Sequence, residues 1–198
     1  FNVLSMIEMR AAMNQDKDVQ EMLYKLSSIY QGKIFRKNEH FIHLEDEMEI
    51  VDFYLSLQNS RFGEKIEYFI SYEGGREKYQ KLMVPRLSIE PIVENAVCHG
   101  LEPKDEKGHI RITISKDESS LKIHIEDNGV GFDSQKIIEK SEDKNHSHVG
   151  LWNTNKMIHN LCGKEYGLEI KSEIGKGTIV VILLPVRNGE NYVESNDC

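Results

Sequence analysis

The chain has 198 residues, of which 39% are hydrophobic and 29% charged, enough apolar material for a sizeable core and too much for a disordered chain. A formal net charge of -8 argues against a nucleic-acid partner, because phosphates need a basic surface. Within these residues no apolar run is long enough to span a bilayer and none reads as a signal peptide; the scattered Cys98, Cys162 and Cys198 support neither a disulfide framework nor a zinc site and fit a reducing cytoplasm.

The first third reads as helical. Leu4 and Ile7 begin one apolar stripe. After the polar break Asn14-Gln15-Asp16-Lys17-Asp18, residues Val19, Met22, Leu23, Leu26, Ile29 and Tyr30 fall at helical spacing. A third stripe runs Leu44, Met48, Val51, Tyr54, Leu55, Gln58 and Phe62. Stripes of this kind pack within the chain or form a dimer seam. From Lys65 the period changes to two: Ile66, Tyr68, Ile70 and Tyr72 alternate, predicting a strand that Gly74-Gly75 ends. Pro85 fits the opening turn of a helix running through Ile89, Ile92, Val93 and Val97 to a glycine stop at Gly100. Strands follow at His109–Ser115 and Leu121–Glu126, then a mobile polar loop over Ser141–His148, a helix from Val149 to Leu161, and strands at Leu168–Glu173 and Thr178–Leu184. The tail from Arg187 is expected to fray.

Four short pieces carry chemistry. Glu94 and Asn95 interrupt an otherwise apolar helix, and buried polar side chains need partners. The Asn95 oxygen suits magnesium, which takes oxygen ligands and few protein groups, and Glu94 suits a base; a solvated helix end is the plainer alternative. Asp127-Asn128-Gly129-Val130-Gly131 puts a carboxylate at a strand end before two glycines, where it can accept from an amine such as that of adenine; an ordinary Asn-Gly turn also fits. Val149-Gly150-Leu151 lies where a loop becomes a helix, whose free amides attract anions. Gly175-Lys176-Gly177-Thr178 opens the last strand, either as a plain hairpin or with its hydroxyl beside a base. His146 and His148 are too few for a metal site, and His40 and His43 sit in no phosphoacceptor context.

In this order the four pieces resemble the nucleotide-binding boxes of the GHKL ATPase/kinase superfamily. The wording Val84-Pro85-Arg86-Leu87-Ser88-Ile89-Glu90-Pro91-Ile92-Val93-Glu94-Asn95-Ala96, with His99-Gly100, resembles the Asn box of LytS/YesM-type sensor histidine kinases. Leu44-Glu45-Asp46-Glu47-Met48, Tyr54-Leu55 and Arg61-Phe62 are similar to that family too, and Phe1-Asn2 match the end of its Pro-His-Phe-Leu-Phe-Asn phosphoacceptor motif. The resemblance reaches Pro185.

It implies an α+β fold, the Bergerat two-layer α/β sandwich with a mixed sheet, preceded by a helical segment. Residues 1–62 would be the dimerisation and phosphotransfer segment without its histidine, 63–186 the ATP-binding domain and 187–198 a polar tail. Asp127 would hold the adenine amine. Asn95 would ligate Mg2+, with Glu94 as base. Gly129, Gly131, Gly150 and Leu151 would let the backbone approach ATP, with His99, Gly177 and Thr178 also at the cofactor. Residues between Phe132 and Val149 would be the lid. The γ-phosphate would pass to a histidine upstream of Phe1 and then to an aspartate of a response regulator, so the fragment is expected not to phosphorylate itself. A homodimer through the N-terminal helices is implied, with no nucleic acid and with membrane contact only through parts absent from this cytoplasmic portion. Three residues depart from the family at what is expected to be the phosphate end: Cys98 for Lys, His148 for Gly and Met157 for Arg. His99, His146, His148 or Lys156 would supply the missing positive charge. These departures open the alternative of a degenerate nucleotide-binding or dimerisation module; a non-kinase ATPase of the superfamily is a third reading.

Overall fold

The computed structural model describes residues 40–63, 65–133 and 149–189. The first two helical stripes, the loop over Ser141–His148 and the end of the tail lie outside them, as do His146 and His148. The elements are β1 (Phe41–His43), α1 (Leu44–Arg61), β2 (Ile66–Tyr72), β3 (Met83–Pro85), α2 (Glu90–Asn95, continued by a wider turn over Ala96–Leu101), β4 (Gly108–Lys116), β5 (Ser120–Asp127), α3 (Val149–Cys162), β6 (Gly167–Glu173) and β7 (Gly177–Pro185).

Five strands form one sheet in the order β2-β4-β5-β7-β6. β2 pairs parallel to β4, and the other three pairings are antiparallel, so the sheet is mixed. Strict alternation dictates its two faces. Ile110, Ile112 and Ile114 on β4, Leu121, Ile123 and Ile125 on β5, and Val180, Ile182 and Leu184 on β7 are all buried. The intervening positions, such as Arg111 paired with Glu126, remain at the surface. The helices cover the apolar face, which makes the two-layer α+β sandwich.

The stripe from Leu44 to Gln58 forms the buried side of α1, which packs on α2 and β2 and belongs to the compact unit beginning at His40. Two expectations are corrected. Pro85 does not open a helix: it ends β3, opposite Phe41 in a small antiparallel ladder with β1, and Pro91 takes the first helical turn instead. Gly100 is no helix stop either. It lies inside the wider turn, where the Glu102 amide donates to Val97 five residues back at 2.8 Å, the π-helical pattern. The start of the tail is also tied down: Met83 N donates to Arg187 O at 2.9 Å, and the Arg187 guanidinium stacks over Phe41 at 4.6 Å.

Candidate functional site

Asp127 occupies a core-facing position of β5, next in the series Leu121, Ile123, Ile125. Only 6% of it is exposed. Its Oδ1 accepts the Gly129 amide at 2.7 Å. Burial pushes its carboxyl up to about 6, against the amides of Gly129 and Thr178, which favour the ionised form.

The chain after Asp127 turns tightly against two neighbours. Val130 N donates to Gly100 O at 2.9 Å, and Gly175 N donates to Val130 O at 2.7 Å. A side chain on Gly129 would come within 2.5 Å of the Gly100 backbone, so glycine is required for the close approach. Gly131 has φ +60°, and a Cβ there would overlap the Glu173 carbonyl. On the far side the Asn128 Oδ1 accepts from His109 N at 2.7 Å, and Lys104 Nζ donates to Asn128 O at 2.7 Å.

Thr178 faces Asp127 in the β5–β7 register, and Ser172 faces Thr178 in the β6–β7 register. Asp127, Thr178 and Ser172 thus make a polar row across three strands at one end of an apolar face. The Ser172 and Thr178 hydroxyls lie 2.9 Å apart. Sequence reasoning missed Ser172. Its signal was its place among the inward positions Leu168 and Ile170 of β6.

α2 supplies the opposite wall. Asn95 Nδ2 donates to Pro91 O at 2.6 Å, which uses one of its two N–H groups and leaves Oδ1 as an acceptor. A methyl on Gly150, in the first turn of α3, would lie 3.1 Å from that Nδ2. The wider turn after Asn95 brings Gly100 so close to Asp127 that a Cβ there would sit 3.0 Å from Oδ1. His99 lines the pocket from the same turn. Glu94 is exposed and lies toward Glu90, Tyr54 and Cys98, whose pKa values are raised by burial first and by the Glu94 charge in addition; it does not line the pocket.

α2 is set in place by Glu47, which the sequence reading left unassigned. This carboxylate has no exposed surface, although it sits on the apolar stripe of α1. Its oxygens accept the amides of Leu87 and Ile89, each at 3.1 Å. Leu87 takes a left-handed φ of +56°, which turns successive amides toward the acid. Burial raises the Glu47 pKa against those hydrogen bonds.

These walls border one cleft that is open to solvent. Ile92, Ala96, Ile125, Leu151 and Val180 give apolar sides, and Asp127 and Thr178 give oxygens at the sheet end. A planar base with an amine fits that arrangement: the sides take the ring and the carboxylate accepts the N–H. Gly100 and Gly150 hold the space that side chains would fill. For a cation the pocket offers the Asn95 amide oxygen, and among the described residues no group of three His, Cys, Asp or Glu could hold a metal. That donor set suits magnesium, which keeps waters and phosphate oxygens as its other ligands.

Gly131, Leu151, Thr178, Asp127, Asn95 and His99 therefore converge on one pocket, while Gly129, Gly150 and Gly177 shape it from behind. Phe132 joins them unexpectedly. The departures are less concentrated than the sequence suggested. Cys98 turns away, its Sγ 3.7 Å from the Tyr54 hydroxyl, and burial raises both groups' pKa values. Met157 on α3 is half-buried and does not line the pocket.

Comparison with known proteins places the chain in a family. The family model described as histidine kinase-, DNA gyrase B-, and HSP90-like ATPase matches residues 85–188, more than half of the chain and every pocket residue. The chain belongs to that ATPase family. A histidine kinase model matches residues 1–66. Sensor histidine kinase YesM of Bacillus subtilis is 32% identical over 95% of this chain and 31% of its own length. Sensor protein LytS of Staphylococcus saprophyticus is 30% identical over all of this chain and 34% of its own. The chain thus spans about a third of these relatives. The catalytic domain of histidine kinase ThkA shares the fold, with a TM-score of 0.56 at 16% identity, over 75% of this chain and 97% of that one. The ATPase-family domain here therefore has the Bergerat sandwich, the fold of a nucleotide-binding ATPase domain.

Proposed function

We propose that this chain is the ATP-binding portion of a two-component sensor histidine kinase, and that its parent moves the γ-phosphate of ATP to a histidine and then to a response-regulator aspartate. The observation that carries the reading is the pairing of a buried acceptor, Asp127, with a polarised amide, Asn95, on opposite walls of one pocket. Asp127 accepts the adenine amine and Thr178 borders it. Asn95 Oδ1 ligates Mg2+, which neutralises charge developing on the phosphates when bound. Glu94, exposed beside Asn95, is open to a histidine arriving from outside the pocket and serves as its base. The first turn of α3 and the lid between Phe132 and Val149 meet the phosphates. Phosphotransfer and dimerisation belong to the helical segment ahead of the sheet, in a homodimer. The cysteine usage fits the cytoplasm, and no helix among the described residues is long and apolar enough to cross a membrane.

A degenerate module that signals without catalysis is the rival. Cys98 and Met157 lie outside the pocket lining, which weakens that rival. Incubating the full-length protein with γ-labelled ATP and Mg2+ separates the two. An acid-labile, alkali-stable label lost in Asp127→Asn supports the kinase; bound nucleotide without label supports the rival.

A further inference from the structure

Ser172 has one proton and two acceptor lone pairs. Three groups crowd its Oγ. The Phe132 amide donates to it at 2.9 Å, the Gly177 carbonyl lies 3.1 Å away, and Thr178 Oγ1 lies 2.9 Å away. A carbonyl only accepts, so the Ser172 proton goes to Gly177. An amide only donates, so Phe132 takes one lone pair. The remaining lone pair receives the Thr178 proton. Every valence of Ser172 is then filled, and Thr178 Oγ1 shows the pocket lone pairs alone. Asp127, beside it in the register, is an acceptor too.

On the adenine reading of the pocket, we propose that Ser172 is a positioning residue that fixes the Thr178 hydroxyl as an acceptor and thereby selects a 6-amino over a 6-oxo purine nucleotide. A 6-oxo group sets an acceptor against two acceptors where the 6-amino group would donate, which rejects an analogue more strongly than a poor fit does. Removing the Ser172 hydroxyl frees the Thr178 proton to rotate inward and donate to a 6-oxo group.

The test is calorimetric titration of the 198-residue chain with ATP and with ITP, each with Mg2+, at pH 8, where Asp127 is ionised. The wild-type chain binds ATP more tightly than ITP. In Ser172→Ala the ATP-over-ITP ratio falls by roughly fivefold to tenfold, the size of one hydrogen bond gained or lost. In the Thr178→Val background the same Ser172→Ala change leaves the ratio where it was, because no hydroxyl remains to reorient. A purely structural role lowers both affinities together, and an unchanged ratio in Ser172→Ala overturns the proposal. Should Ser172→Ala not fold, Thr178→Val alone decides: it weakens ATP and spares ITP if Thr178 is an acceptor, and the reverse overturns the proposal. A wild-type chain that binds neither nucleotide overturns the adenine reading itself; one that binds both equally overturns only the selection.

Discussion

Glu47 and Ile89 are joined by a hydrogen bond of 3.1 Å from the Ile89 amide to Oε1, which crosses from the interior of α1 to the start of α2. With the matching bond to Leu87 it holds the strained loop from which the Asn95 helix springs. Glu47→Ala leaves those amides without an acceptor in a site closed to water. We expect a loss on the order of 3 kcal/mol in urea unfolding, with Glu47→Gln losing about half as much.

Gly150 pits stability against binding. Alanine in a helix is favoured over glycine by about 1 kcal/mol. The added methyl, however, would lie 3.1 Å from Asn95 Nδ2, and the 2.6 Å bond to Pro91 keeps that nitrogen from yielding. Gly150→Ala is expected to fold at least as stably as the wild type in thermal melts while its Mg-ATP affinity falls roughly tenfold.

Two acids, the buried Asp127 and the half-buried Glu90, set a pH dependence. Asp127 holds its proton to about 6, from an ordinary value of 3.8, because it is buried. Glu90 holds its proton to about 7, from 4.5, because of burial and then the neighbouring charges of Glu94 and Glu47. Between the ordinary and the raised values the folded chain keeps protons that the unfolded chain has released. Their contribution to stability is therefore full below about 4 and is lost as pH rises through about 6 and 7. Glu90→Gln should stabilise the chain at pH 8 by on the order of 2 kcal/mol and not at pH 4, read from urea midpoints at the two pH values. ATP affinity should fall as pH drops below about 6, where Asp127 becomes neutral and can no longer accept as a carboxylate.

Glu94 divides chemistry from binding. It is exposed and outside the pocket lining. Glu94→Gln in the full-length protein is expected to lower the rate of histidine labelling by 10²-fold or more, on the order of a lost general base, with ATP affinity in equilibrium titrations unchanged.

What was legible in the sequence followed the periodicities. The alternation of β2 and the stripe of α1 gave their elements to within two residues, the bounds read for β4 to β7 and α3 agree as closely, and Asp127 stood out as an acid at a strand's end before two glycines. What was missed depended on distant partners. Pro85 reads as a helix opener until β1 pairs with β3. The π turn leaves no mark on the apolar pattern, yet it sets Gly100 against Asp127. Ser172 gains its meaning only from Phe132, 40 residues earlier, and from the β6–β7 register. Glu47 was visible in principle, as an acid within the apolar stripe of α1.

The pocket's claim on a nucleotide is tested most directly by calorimetric titration of the chain with ATP and Mg2+ at pH 8, set against Asp127→Asn. A single saturable site is expected, weakened by about 100-fold in the variant, since a carboxamide gives up the charge that receives the amine. Equal affinity in the two chains, or no heat of binding in the wild type, would contradict it.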